Sequence, residues 1–184
     1  MTIFLIGFMG SGKTTLGIEL ARCMDMPFID LDEFIEEQCG ATINEIFATV
    51  GEERFREIES EALRRVAGDD AVVATGGGTP LRQGNIELMN ACGLTIHLTT
   101  TPEVIMRRLL LPEQRAKRPL LAGKSDDEIA AYVGAELERR APFYDKAMLH
   151  FDSTDIETAE ATRATAAALA GVLSDLSSPI NSPS

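Results

Sequence analysis

Residues 2–17, TIFLIGFMGSGKTTLG, decide the reading of the whole chain. TIFLIG (2–7) reads as a buried strand, and the pattern from about Lys13 to Met24 reads as a helix. Between them, Gly7-Phe8-Met9-Gly10-Ser11-Gly12-Lys13-Thr14 fits G-x-x-x-x-G-K-[ST] in the strand–loop–helix setting that pattern requires. The glycines let backbone N–H groups turn inward around an anion, and the helix N-terminus adds partial positive charge. Gly10, Ser11, Gly12, Lys13, Thr14 and Thr15 are therefore the expected nucleotide contacts. Lys13 reaches toward the β and γ phosphates, and the Thr14 hydroxyl suits Mg²⁺.

Working outward, short apolar runs alternate with helical patterns. PFID (27–30), AVVAT (71–75), LTIHLT (94–99) and AMLHF (147–151) read as further strands. Helices are expected over Leu31–Cys39, Glu45–Ala67 (one or two), 83–91, Pro102–Leu110, Asp126–Tyr144 and Asp155–Leu173. Alternation of this kind builds right-handed crossovers and a parallel sheet covered on both faces, a three-layer α/β/α domain. The periodicities leave strand order open. We expect the domain over 1–174, acceptor-binding helices over 32–66, a mobile lid over 111–125, and a flexible Ser/Pro-rich tail over 175–184.

The chain has 184 residues, 45% of them hydrophobic, and a formal charge of −12, which argues against a nucleic-acid partner. Three separated cysteines support neither a zinc site nor a disulfide framework. The N-terminal apolar run breaks at Gly7, too short for a signal peptide or a membrane span, so a cytoplasmic protein with no membrane partner is expected. His97 and His150 fall inside expected strands and read as structural. A second phosphate-like fragment, Gly123-Lys124-Ser125, lacks the first glycine of the pattern and reads as loop composition.

A phosphate loop does not name the acceptor. Asp30 and Asp32 share one side of the second strand's carboxyl end, where open parallel sheets bind ligands. Such acids suit water-mediated Mg²⁺ binding and proton abstraction from a hydroxyl, although Asp32 equally suits a helix cap. Arg56 and Glu59 share a helical face, as a solvated ion pair would. Gly76-Gly77-Gly78 admits either a tight turn or close approach to a small molecule. Arg115-Ala116-Lys117-Arg118 is a basic loop, fit for a lid over a moving phosphoryl group or simply solvated. Arg139-Arg140 ends a helix, where cations also compensate the dipole.

Together GFMGSGKTT, F-I-D-L-D-E, F-R-E-I-E, the G-G-G turn, R-P-L-L and R-A-P-F-Y resemble the shikimate kinases, relatives of the nucleoside monophosphate kinases, over residues from about 2 to 172. The resemblance implies ATP- and Mg²⁺-dependent phosphorylation of the shikimate 3-hydroxyl on the way to chorismate and aromatic amino acids, and a sheet order of 2-3-1-4-5. It implies shikimate held by Asp32, Arg56 and Arg140, with Gly76, Gly77 and Gly78 lining the site. Lys13, Asp32 and Arg118 become the catalytic set, Thr14 and Asp30 (through water) the magnesium set, and Arg108 an adenine neighbour. The family's Arg-or-Asn–Pro after the last strand is replaced by Ser153-Thr154-Asp155. Shikimate and ATP are the expected partners of a monomer. A kinase of another small hydroxy acid such as gluconate, a nucleoside monophosphate kinase, or a non-catalytic nucleotide-sensing module are the rival readings.

Overall fold

The computed structural model describes residues 1–112, 121 and 123–177. In chain order the elements are β1 (Thr2–Ile6), α1 (Lys13–Cys23), β2 (Phe28–Asp30), α2 (Leu31–Cys39), α3 (Ile43–Val66) and β3 (Val72–Ala74). A 3₁₀ turn (Thr79–Leu81), α4 (Asn85–Cys92), β4 (Gly93–Thr99), α5 (Pro102–Leu109), α6 (Asp126–Tyr144), β5 (Leu149–Asp152) and α7 (Ala159–Ser177) follow. The strands form one parallel sheet in the order β2-β3-β1-β4-β5, the order implied by the resemblance.

β1 is central and buried along its full length, because side chains alternate between two covered faces. Ile3 and Leu5 pack with Leu16 and Leu20 of α1 and with Ala166, Leu169 and Leu173 of α7. Phe4 and Ile6 join a second core with Leu31 and Ile35 of α2, Leu63 of α3, Ile105 and Leu109 of α5, and Val133 of α6. Each such fully buried aliphatic side chain contributes roughly 1.5–3 kcal/mol. Removing it would open a cavity on only one face of the sheet.

Local chemistry sets the helix starts. Thr42 and Ser125 each form a reciprocal capping box, with Glu45 and Glu128, at the heads of α3 and α6. Thr101 caps α5, with Pro102 in the first turn; such caps contribute about 1 kcal/mol each. Ser125 is thus a cap, in line with reading Gly123-Lys124-Ser125 as loop. α7 begins at Ala159 rather than Asp155, because the Thr158 hydroxyl accepts from the Ala161 N–H at 3.1 Å and fixes the first turn there. It runs through Ser177, so residues 175–177 of the expected tail are helical; 178–184 lie outside the described residues. Among the described residues no helix is long and apolar enough to cross a membrane.

Candidate active site

The carboxyl ends of the strands open onto a cleft of about 1140 Å³. On one side lies the loop between β1 and α1. Gly12 heads α1 at φ 94°, a left-handed conformation that glycine adopts without steric cost. A Cβ there would also collide with the Ile156 side chain, which leans on the loop from the segment after β5. Lys13 crosses the loop, its Nζ donating to the carbonyls of Gly7 (2.9 Å) and Phe8 (3.1 Å). Ser11 is 1% exposed beneath the cleft; its N–H donates to Phe8 O, and its carbonyl accepts from the Ser153 hydroxyl at 2.7 Å. The stretch that replaces Arg-or-Asn–Pro therefore anchors the loop from below.

Arg108 closes this side. Its Nε donates to Glu157 (2.9 Å), Nη1 to Gly10 O (2.9 Å), and Nη2 to the carbonyls of Ser153 (3.1 Å) and Thr154 (2.9 Å). Four of the five guanidinium N–H groups are thus engaged by the protein itself.

Asp30 is the link between the two sides. One carboxylate oxygen accepts from the Thr14 hydroxyl (2.8 Å), and the other from the Asp32 N–H (3.0 Å). Asp30, not Asp32, is thus the N-cap of α2, and Asp32 sits within its first turn with its carboxyl turned to the cleft. Burial raises the Asp32 pKa from 3.8 to about 6, helped by the negative charges of Asp30 and Glu59 and opposed by Lys13. A carboxyl tuned to that value is a competent base near neutrality.

Crowding explains two of the three glycines. None of Gly76, Gly77 and Gly78 has positive φ, so turn conformation does not demand them. A Cβ on Gly76 would lie 2.7 Å from Glu59 Oε1 and 3.2 Å from Asp32 Oδ1; on Gly78, 2.7 Å from Arg56 Nη1; on Gly77, 3.4 Å from Arg140 Nη1. At Gly76 and Gly78 the protein's own acids and Arg56, rather than a ligand alone, require the bare backbone, whereas the Gly77 contact is an ordinary van der Waals distance. Glu59 is the buried anchor: 1% exposed, it accepts from Thr79 Oγ1 (2.7 Å) and from Arg56 Nη1 (3.0 Å). The Arg56–Glu59 pair is therefore no solvated surface contact. Arg140 donates to Gly77 O (3.2 Å), as does the Tyr144 hydroxyl (2.8 Å), and lies over the Phe8 ring.

Gly10, Gly12, Lys13, Thr14, Thr15, Asp30, Asp32, Arg56, Gly76, Gly77, Gly78, Arg108 and Arg140 thus line one cleft. Arg118 lies outside the described residues. Sequence reasoning passed over Glu136, whose place one helical turn before Arg140 was a legible signal, and Ile156, for which there was none. His97 and His150 are paired across β4 and β5, their Nδ1 atoms 3.2 Å apart. Burial and then the neighbouring His150 lower the His97 pKa to about 4, so a neutral structural histidine is the outcome.

The family model for shikimate kinase matches residues 9–170. The chain belongs to the shikimate kinase family. The shikimate kinase of Phocaeicola vulgatus is 49% identical over 156 residues, 84% of this chain and 88% of the relative. Among solved structures, the shikimate kinase of Bacteroides thetaiotaomicron superposes with a TM-score of 0.90 at 42% identity, covering 95% of this chain and 98% of that one. The Acinetobacter baumannii shikimate kinase, solved in complex with shikimate, reaches 0.81 at 32% identity, covering 97% and 95%. The matched residues take in the phosphate loop from Met9 onward, both arginines and the glycine turn.

Proposed function

We propose that the protein transfers the γ-phosphoryl group of ATP to the 3-hydroxyl of shikimate, within the route to chorismate and aromatic amino acids. The observation that carries this reading is the convergence of two arginines, Arg56 and Arg140, on the glycine turn beside Asp32, in the same cleft as the phosphate loop. Two guanidinium groups suit one carboxylate, and Asp32 suits one hydroxyl. Family membership and the shikimate bound to the Acinetobacter baumannii relative support the same choice.

Asp32 accepts the proton of the 3-hydroxyl as its oxygen attacks the γ-phosphorus. The bond between that phosphorus and the β-bridging oxygen breaks in line, and ADP leaves. No covalent enzyme intermediate forms. Lys13, with Arg118 as the expected second cation, stabilises charge on the transferring group. Thr14 and Asp30 place hydroxyl and carboxylate oxygens side by side, a hard donor set that fits Mg²⁺. The metal would supply charge neutralisation on the phosphates. Every group named comes from one chain, which suits a monomer, and the formal charge of −12 suits an enzyme with no nucleic-acid partner, for which a cytoplasmic location is part of the proposal.

ATP consumption measured against shikimate, gluconate and nucleoside monophosphates tests the reading. Turnover with shikimate alone is expected; equal inactivity with all three would leave a nucleotide-sensing module. Arg56→Ala and Arg140→Ala should each raise KM for shikimate at least tenfold while KM for ATP holds. Loss of ATP binding with shikimate affinity unchanged would overturn the acceptor assignment.

A further inference from the structure

We infer that Glu136 is the positioning residue that sets Arg140 for an acceptor carboxylate. The inference rests on shikimate as the acceptor and adds to it a residue outside the shikimate contacts assigned above. Glu136 lies on α6 one turn before the arginines, at spacings of three and four, so all three side chains share a face. Arg139 grips the carboxylate with a two-point fork, Nε to Oε1 and Nη2 to Oε2, both 2.8 Å. Oε2 then accepts from Arg140 Nε (2.8 Å) and Nη2 (2.7 Å). The outer arginine holds the glutamate, and the glutamate holds the inner arginine.

This geometry decides between a brace and a competitor. A carboxylate that competed with the acceptor would cover the terminal end of the Arg140 guanidinium. Glu136 instead takes the edge formed by Nε and one N–H of Nη2, while Nη1 donates to Gly77 O and the ring of Phe8 supports the flat face. The remaining N–H groups of the terminal nitrogens lie outside these bonds and are the ones an incoming carboxylate can use. Two guanidinium groups share one carboxylate, so the cluster keeps a net positive charge for the acceptor. The fork also keeps Glu136 charged: the Arg139 hydrogen bond leads the effects that lower its pKa to about 2, against a smaller opposing effect of burial. With its side chain only 10% exposed, Arg140 has little solvent to orient it if the brace is lost.

Steady-state kinetics of Glu136→Ala and Glu136→Gln, with shikimate and with its methyl ester, test the inference. For shikimate, Glu136→Ala should raise KM about tenfold with kcat and KM for ATP within twofold, and Glu136→Gln should fall between it and the parent. The methyl ester, which lacks the charge that Arg140 reads, should show the same KM in parent and variant. An unchanged or lower KM for shikimate in Glu136→Ala overturns the inference, the lower value identifying a competitor. A penalty that persists with the ester also overturns it, since a general structural defect would produce that. Arg140→Ala run alongside separates the two layers: if it leaves KM for shikimate unchanged, the acceptor reading itself has failed.

Discussion

Asp32 concentrates the site's conflict between stability and chemistry. Its carboxyl is buried beside two other acids, and folding favours the protonated form. That preference is fully available below pH 3.8, the unfolded value, and is lost as pH rises through about 6. At pH 7.5 the charged carboxylate therefore costs roughly 3 kcal/mol, at 1.36 kcal/mol per pKa unit. Asp32→Asn should raise the melting temperature at pH 7.5 and lose most of that gain by pH 4, while kcat falls at least a hundredfold. Thermal unfolding at the two pH values reads this directly; an equal melting temperature at pH 7.5 would mean that burial does not penalise the charge. In the parent enzyme, kcat/KM for shikimate, which reports the free enzyme, should climb with pH through about 6. Asp32 was legible as a cleft acid from its position after β2, but its cap-or-catalyst ambiguity was not resolvable there. Asp30 took the capping role only because its oxygens face both Thr14 and the Asp32 N–H in three dimensions.

Among the elements, α3 shows where periodicity stops informing. The sequence over Glu45–Ala67 reads as one or two helices, with Gly51 inside that stretch. Gly51 breaks the helix with φ 76° and ψ 173°, a region open essentially to glycine alone. The kink leaves Phe47 tilted against Phe55 at the mouth of the cleft and lets the second segment carry Arg56 and Glu59 inward. Gly40, which closes α2, sits at φ 64° and ψ 25°, where other residues are tolerated at lower cost. Neither position has a neighbour within 4 Å of an added Cβ, so backbone conformation alone sets the penalty. Gly51→Ala should thus destabilise by about 1–3 kcal/mol, and by more than Gly40→Ala, in denaturant unfolding. A reversed order would show that α3 simply straightens. α6 is the opposite case, since its i, i+4 spacing of Glu136 and Arg140 can be read directly from the chain.

Across the whole molecule, Arg108 joins parts far apart in sequence: the phosphate loop at Gly10, α5, and the carbonyls after β5. Arg108→Ala should lower the melting temperature, because carbonyls such as that of the buried Ser153 lose their donor, at about 1–3 kcal/mol. KM for ATP should rise with KM for shikimate little changed; the reverse pattern would place Arg108 on the acceptor side. By itself the sequence determined the α/β alternation, the phosphate loop, and the inventory of acids and arginines. Those depend on local spacing and on glycine's backbone freedom, which the chain carries residue by residue. Tertiary structure alone decided that Gly76 and Gly78 meet Glu59, Asp32 and Arg56, that the Arg56–Glu59 pair is buried rather than solvated, and that Arg108 ties the phosphate loop to the segment after β5. These follow from side chains that meet across long sequence separations in a low-dielectric cleft, where burial rather than spacing sets charge and orientation.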